Sequence, residues 1–145
     1  EDKGVTVAYA SVYGNTRQAA LELAGVLEAR GQKVSVFDLA RDDMAEAVED
    51  AFRYDRLVLA SVTYNGGVFP FMSTFIHTLA EHAYQNRTVA LVESGTWAPT
   101  AAKVMRAQLE EMKDVSVAEQ VVTVRGALDD ASRTQIAALA DELCA

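Results

Sequence analysis

The chain has 145 residues, half of them apolar, and its 21 acidic and 13 basic side chains give a formal net charge of −8. That length is typical of one domain, and the negative charge argues against nucleic acids and anionic membranes as partners. No apolar run approaches the roughly 20 residues of a membrane span, and no signal-peptide pattern is present. We therefore expect a single cytoplasmic domain over residues 1–145. Because it starts at Glu1 rather than at methionine, we also expect that it could be a piece of a longer protein.

Five strand patterns alternate with five helix patterns along the chain. Strands are predicted at residues 5–10, 33–39, 56–61, 88–93 and 115–124. Helices are predicted at residues 15–30, 44–51, 72–83, 99–112 and 136–143, where apolar side chains recur every three or four positions. Such alternation is typical of parallel strands joined by right-handed crossovers, with helices on both faces. The sequence therefore predicts an α/β fold of three layers, a doubly wound sheet with five parallel strands.

The apolar content of the strands indicates their order in the sheet. The first, third and fourth strands are nearly continuous in apolar residues, whereas the second and fifth are mixed. Strands that are buried on both faces should be apolar throughout, so the two mixed strands are expected at the edges. This favours the order 2-1-3-4-5, in which a ligand crevice opens above the carboxyl ends of the first and third strands, beside the fourth.

A polar loop follows the first strand and leads directly into the first helix. It reads Ser11-Val12-Tyr13-Gly14-Asn15-Thr16, so that three hydroxyls and an amide lie at the positive end of a helix. Unpaired N–H groups at a helix start form an anion site, and the hydroxyls can surround one terminal phosphate. The loop lacks the glycines of a dinucleotide turn and the lysine of a nucleoside triphosphate loop. It therefore predicts a phosphomonoester ligand. The alternative is an ordinary strand-to-helix turn in which Ser and Thr serve as helix caps.

Two more unusual loops follow the third and fourth strands. Thr63-Tyr64-Asn65-Gly66-Gly67 combines an aromatic ring, an amide and two glycines, which allow the backbone to approach a flat ligand. Ser94-Gly95-Thr96-Trp97 contains the only tryptophan of the chain. Each loop alone could be a turn with surface aromatics. Together, at adjacent strand ends, they predict a phosphate site flanked by two rings that hold a nucleotide-like ring system.

The whole chain resembles the short-chain flavodoxin-like family, and above all the flavodoxin domain at the C-terminal end of flavodiiron proteins. Residues 10–16 are similar to the family's phosphate loop, and residues 61–70 to its second flavin loop, with Val62 where proline is usual. In the third loop Glu93, Gly95 and Thr96 stand where the family has glycine, tyrosine and glycine. The resemblance implies FMN as the cofactor. It also implies that FMN is bound by Ser11, Val12, Tyr13, Gly14, Asn15, Thr16, Thr63, Tyr64, Asn65, Gly66, Gly67, Ser94, Gly95, Thr96 and Trp97.

The resemblance implies an electron-transfer module, in which the cofactor supplies the redox chemistry. A response-regulator receiver shares the fold but needs acidic residues after the first strand and an aspartate closing the third, where this chain has Ala10-Ser11 and Ser61. Three alternatives stay open: a free-standing flavodoxin, an NAD(P)H-dependent flavin or quinone reductase, and a flavodoxin-like domain that has lost its cofactor. The intact phosphate loop argues against the last of these.

The resemblance to flavodiiron proteins also implies redox protein partners, among them a di-iron metallo-β-lactamase-like domain of the same parent chain that reduces oxygen or nitric oxide. This chain has only two histidines, His77 and His82, which are five residues apart and off the apolar stripe of their helix. We interpret them as part of a solvated face. The single cysteine, Cys144, excludes an internal disulfide and a thiolate metal site. The irons are therefore expected in a separate domain.

Overall fold

The computed structural model describes residues 2–11, 14–64, 67–95 and 99–145. Within these residues the strands are β1 (Asp2–Ala10), β2 (Val34–Asp38), β3 (Tyr54–Tyr64), β4 (Gly67–Val68), β5 (Arg87–Ser94) and β6 (Val115–Val124). The helices are α1 (Gly14–Ala29), α2 (Met44–Arg53), α3 (Pro70–Glu81), α4 (Ala101–Glu110) and α5 (Asp130–Cys144). Except for the short β4, strands and helices alternate as predicted.

The long strands described form one parallel sheet in the order β2-β1-β3-β5-β6. Numbered without β4, this is the order 2-1-3-4-5, so the predicted fold class and topology are confirmed. The central strands β1, β3 and β5 are buried over most of their length, whereas every residue of β2 is only partly buried and β6 is mixed. The strands with mixed composition therefore lie at the edges, where one side of each strand has no neighbour.

The described residues contain one strand more than the sequence analysis predicted. β3 continues to Tyr64 instead of ending at Ser61, and β4 pairs with it antiparallel. Residues 62–70, predicted as a loop, therefore include a short hairpin. The signal for it is present in the sequence, because an Asn-Gly pair between two extended segments is the strongest short-range hairpin signal.

Two apolar cores cover the two faces of the sheet. Under α1 and α5, Leu23 and Leu139 have no solvent-exposed surface. Under α2, α3 and α4, the same is true of Phe75 and Met105. Side chains alternate between the faces along each strand, so the central strands must be apolar on both sides. Among the described residues, no helix combines the length and the apolar character that crossing a bilayer requires.

Helix α3 ends earlier than predicted, and Ala83 lies beyond it with a φ of 57°. The N–H of Ala83 donates to the carbonyl of Ala80. The N–H of Tyr84 donates to the carbonyl of Leu79. These two bonds form the Schellman pattern, which requires a residue in the left-handed conformation directly after the helix. Ala83 is therefore exposed, not part of the apolar stripe to which the sequence analysis assigned it.

Replacing Ala83 by glycine should stabilise the fold. Left-handed backbone costs an L-residue roughly 1–2 kcal/mol, and the greater flexibility of glycine in the unfolded chain returns about half of that cost. The exposed methyl group makes no core contact, so we expect a net gain of about 0.5–1 kcal/mol in the free energy of unfolding, measured by urea titration. Ala80→Gly, on the exposed face of α3, is the matched control and should lower it by about 1 kcal/mol. Equal losses in both variants would contradict the prediction.

Candidate functional site

The first loop of the candidate site runs from the end of β1 into α1. Ser11 follows β1 directly and is half-buried, and α1 begins at Gly14, one residue earlier than predicted. The first turn of α1 contains Asn15, also half-buried, and no acidic side chain. Its N–H groups have no acceptor within the helix and lie at the positive helix end, so they can donate to an anion. Val12 and Tyr13, also predicted in this loop, lie outside the described residues.

A hydrogen bond between Thr16 and Ser94 joins the first loop to the third. The two side chains are 1% and 3% exposed, and their hydroxyls contact each other directly. The fold thus brings together two predicted site residues that are 78 positions apart in the sequence. One of the two hydroxyl protons is used within this pair, so the other can be donated to a ligand.

A polar cavity of about 450 Å³ opens beside the first loop. Ser11, Gly14 and Arg17 line it on one side, and Asp38 and Arg41 on the other. Arg17 lies in the first turn of α1 and is exposed, and it was not among the site residues predicted from the sequence. The sequence signal for Arg17 is its position directly after Thr16, in the first turn of the predicted helix. A cation is unfavourable at the positive end of a helix unless an anion balances it.

The Gly14→Ala variant should separate the stability of the fold from ligand binding at this loop. A Cβ at position 14 would meet no described atom within 4 Å, so it would project into open space at the start of α1. Alanine has the higher helix propensity, and we expect the free energy of unfolding to stay equal or to rise by up to about 1 kcal/mol. Affinity for a phosphate ligand should fall by about 10-fold, because the methyl group reduces the space above the helix start.

Calorimetric titration of the variant with the ligand, beside its urea unfolding, tests this prediction. Gly25→Ala is the matched control, because a Cβ at position 25 also meets no described atom within 4 Å but lies in the middle of α1. The control should gain stability and keep its ligand affinity. Loss of stability in Gly14→Ala, or unchanged ligand affinity in that variant, would contradict the prediction.

The second loop of the site is the hairpin of β3 and β4. Tyr64 pairs with Gly67 across it, and Tyr64 as a whole is 43% exposed. This ring packs edge-on against Phe69, with 5.3 Å between the ring centroids, and Phe69 contacts Phe71 at 5.7 Å. The aromatic surface is therefore larger than the sequence analysis predicted. Asn65 and Gly66, predicted to belong to the site, lie outside the described residues.

The third loop begins in close contact with the second. The N–H of Gly95 donates to the carbonyl of Val124, at 3.0 Å. A Cβ on Gly95 would lie 3.3 Å from the Cβ of Thr63, closer than most side chains tolerate. This close approach gives a physical reason for glycine at position 95, where the family has tyrosine. Thr96 and Trp97, which complete the predicted loop, lie outside the described residues.

Helix α4 begins at Ala101, two residues later than the predicted start at Pro99. Thr100 is its N-cap, with a φ of −125° and a ψ of −1° that are not helical. The hydroxyl of Thr63 accepts hydrogen bonds from the N–H groups of Thr100, at 3.0 Å, and of Ala101, at 3.3 Å. Side chains of the sheet, rather than a local cap, therefore fix where this helix starts.

Glu93 provides a second attachment for the start of α4. Its Oε1 accepts a hydrogen bond from the N–H of Ala102, at 3.0 Å, and its Oε2 accepts one from the hydroxyl of Thr123, at 2.8 Å. The side chain of Glu93 is only 8% exposed. Glu93 stands where the family has glycine, and the sequence alone predicts no role for it. Its partner Ala102 lies in a different element, which no local pattern reveals.

The two histidines lie on the solvated surface, as expected from their position off the apolar stripe. His77 and His82 are both exposed, and Nε2 of His77 lies 3.7 Å from a carboxylate oxygen of Glu81. Across the described ranges, no group of three or more His, Cys, Asp or Glu side chains is arranged to hold a metal ion.

Comparison with sequence families gives a match over most of the chain. A family model described as a flavodoxin domain matches residues 6–135. No protein with a curated description matches the chain by sequence.

Three solved structures that share the fold of this chain differ in length. A rubredoxin oxygen:oxidoreductase from Desulfovibrio gigas superimposes with a TM-score of 0.90 at 19% identity, over 97% of this chain and 36% of that one. The flavodiiron protein from Giardia intestinalis gives a TM-score of 0.85 at 18% identity, over 99% of this chain and 36% of that one. Flavodoxin 1 from Bacillus cereus gives a TM-score of 0.84 at 19% identity, over 98% of this chain and 97% of that one. This chain thus spans about a third of the first two proteins and nearly all of the third.

Proposed function

The chain belongs to the flavodoxin domain family, and from this premise we propose that its three loops bind FMN across the carboxyl ends of β1, β3 and β5. Family membership implies FMN as the cofactor and electron transfer as the general role, in agreement with the sequence analysis. The observation that carries the assignment of the loops is the start of α1, where N–H groups and hydroxyls converge without an acidic side chain. When bound, FMN supplies the redox chemistry, and the protein supplies position and electrostatics.

The phosphate of FMN is assigned to residues 11–16. The start of α1 offers backbone N–H groups from Gly14, Asn15 and Thr16, and the positive helix end favours a dianion there. Ser11 and the buried pair of Thr16 with Ser94 supply hydroxyls. These groups fit a phosphate, because backbone N–H groups and hydroxyls donate hydrogen bonds to phosphate oxygens and none of these groups carries a negative charge.

The ring system of FMN is assigned to residues 63–67 and 94–97. The exposed ring of Tyr64 offers an aromatic face beside the crevice, and the close packing of Gly95 on Thr63 brings the two loops together. The hydroxyl of Thr63 accepts hydrogen bonds from Thr100 and Ala101, so Thr63 also holds the chain that follows the third loop. Trp97 is assigned to cover the ring system from the third loop, and Tyr64 to lie against it from the second.

Binding and reduction of FMN test this function directly. The purified chain should bind one FMN. Dithionite should reduce the bound FMN, and an added acceptor protein should oxidise it again. The visible absorbance of the flavin reports both steps. A chain that takes up no FMN would contradict the proposal. Rapid bleaching of the bound flavin by NADH or NADPH alone would identify an NAD(P)H-dependent reductase instead of an electron-transfer domain.

For the electron acceptor, we propose a di-iron site that reduces oxygen or nitric oxide, held in a metallo-β-lactamase-like domain of the same parent chain. The support is the length relation, since this chain corresponds to about a third of the rubredoxin oxygen:oxidoreductase and of the Giardia flavodiiron protein. A free-standing flavodoxin is the second candidate, and Flavodoxin 1 of Bacillus cereus, which this chain covers almost completely, favours it. The open reading frame of the gene decides between them. A methionine codon directly before Glu1 would overturn the di-iron proposal.

A further inference from the structure

Glu93 is the only acidic side chain that is buried within the described residues. It lies in β5, next to Ser94 of the candidate site, and its two carboxylate oxygens bind two different elements, α4 and β6. A buried carboxylate is costly unless hydrogen bonds and nearby positive charge compensate it. Here the compensation comes from the hydroxyl of Thr123 and from the positive N-terminal end of α4. Because the fold keeps a carboxylate buried at this cost, we conclude that the contact between β5 and α4 is important at the carboxyl end of the sheet.

From these contacts we infer that Glu93 is a positioning residue for the cofactor, because it holds the start of α4 and thereby the end of the third loop. This inference rests on the proposed function, in which that loop contacts the ring system. Residues 99 and 100 lead directly from the loop into α4. Without the carboxylate, the N–H of Ala102 would lose this acceptor, and the hydroxyl of Thr63 would still bind the amides of Thr100 and Ala101.

The place of Glu93 in the sheet predicts which end of the cofactor depends on it. Glu93 and Ser94 are neighbours in β5, so their side chains lie on opposite faces of the sheet, with Ser94 towards Thr16 of α1 and Glu93 towards α4. Loss of Glu93 should therefore weaken the contacts to the ring system and leave those to the phosphate unchanged. FMN and riboflavin share the ring system, so both should lose affinity by the same factor.

The test compares the dissociation constants of FMN and riboflavin in four variants, measured by the quenching of flavin fluorescence. Glu93→Ala removes both hydrogen bonds of the carboxylate and should weaken both ligands by about 10-fold. Glu93→Gln keeps an acceptor for Ala102 and a partner for Thr123, so both ligands should stay within about threefold of the wild type. Thr123→Val, which removes one of the two bonds to Glu93, should give an intermediate loss. Glu110→Ala, an exposed carboxylate at the other end of α4, controls for net charge and should change nothing.

Unchanged ligand binding in a folded Glu93→Ala variant would overturn the inference. So would an equal loss in Glu93→Gln, which would assign the effect to the charge, and a loss confined to FMN, which would assign it to the phosphate end. If Glu93→Ala fails to fold, wild-type affinity in Thr123→Val would overturn the inference by itself. Failure of the proposed function gives a different result, because the wild-type chain would then not bind FMN at all.

Discussion

Riboflavin should bind this chain at least about 100-fold more weakly than FMN. It has the same ring system but lacks the phosphate that the start of α1 can bind. Hydrogen bonds to a charged group contribute roughly 1.5–3 kcal/mol each, and two of them at the lower end give about 3 kcal/mol, or a factor of more than 100. Titration of the apoprotein with each flavin at one fixed ionic strength measures the ratio. Equal affinities would contradict the assignment of residues 11–16 to the phosphate.

The Thr16→Ala variant locates this discrimination at one side chain. It should cost about 1–3 kcal/mol of FMN binding while riboflavin affinity changes much less, because the hydroxyl acts on the phosphate. The structure adds a second effect: the buried hydroxyl of Ser94 loses its partner, so the FMN-free fold should also lose about 1 kcal/mol of stability. Thr16→Ser keeps the hydroxyl and is the matched control. A parallel loss for both flavins would show that Thr16 acts on the fold alone.

The strand order could be predicted from the sequence because burial on two faces leaves a local signal. A central parallel strand such as β5 has no solvent-exposed face, so its residues from Val89 to Val92 are apolar without interruption. The edge strand β2 has Ser35 among its apolar residues and is only partly buried. The place of the first loop between β1 and α1 was equally accessible to prediction, since a strand end, a short polar loop and a helix start follow one another in the chain.

Contacts between distant elements could not be predicted in this way. The sequence around Pro99 favours a helix start at the proline, since its fixed φ suits that position. The observed start at Ala101 is set by Thr63 and Glu93, two side chains of the sheet. Likewise, the role of Thr63 in holding α4 has no local signature. Tertiary hydrogen bonds decide both the start of α4 and the role of Thr63. They become visible only when the three strand ends lie side by side.

The turnover of oxygen or nitric oxide should depend entirely on a second domain, if the proposed acceptor is right. The flavin domain can store and pass on electrons, and the proposal places the reduction of these gases at the irons of the second domain. We therefore expect the isolated chain, loaded with FMN and chemically reduced, to show no rapid reductase turnover with either gas. Adding the di-iron domain, in cis or as a partner subunit, should bring turnover into the usual enzymatic range of roughly 1–10³ per second.

Gas consumption at an electrode, with a reductant that keeps the flavin reduced, measures this difference. The same di-iron domain without iron is the control and should leave turnover at the level of the isolated chain. A second control is the chain loaded with no flavin, which separates electron delivery through FMN from direct reduction of the irons. Rapid turnover by the isolated chain would show that the flavin itself is the reactive site. Turnover that needs the irons but not FMN would show that electrons reach the metal by another route. In that case a free-standing electron carrier would be the better description of this domain.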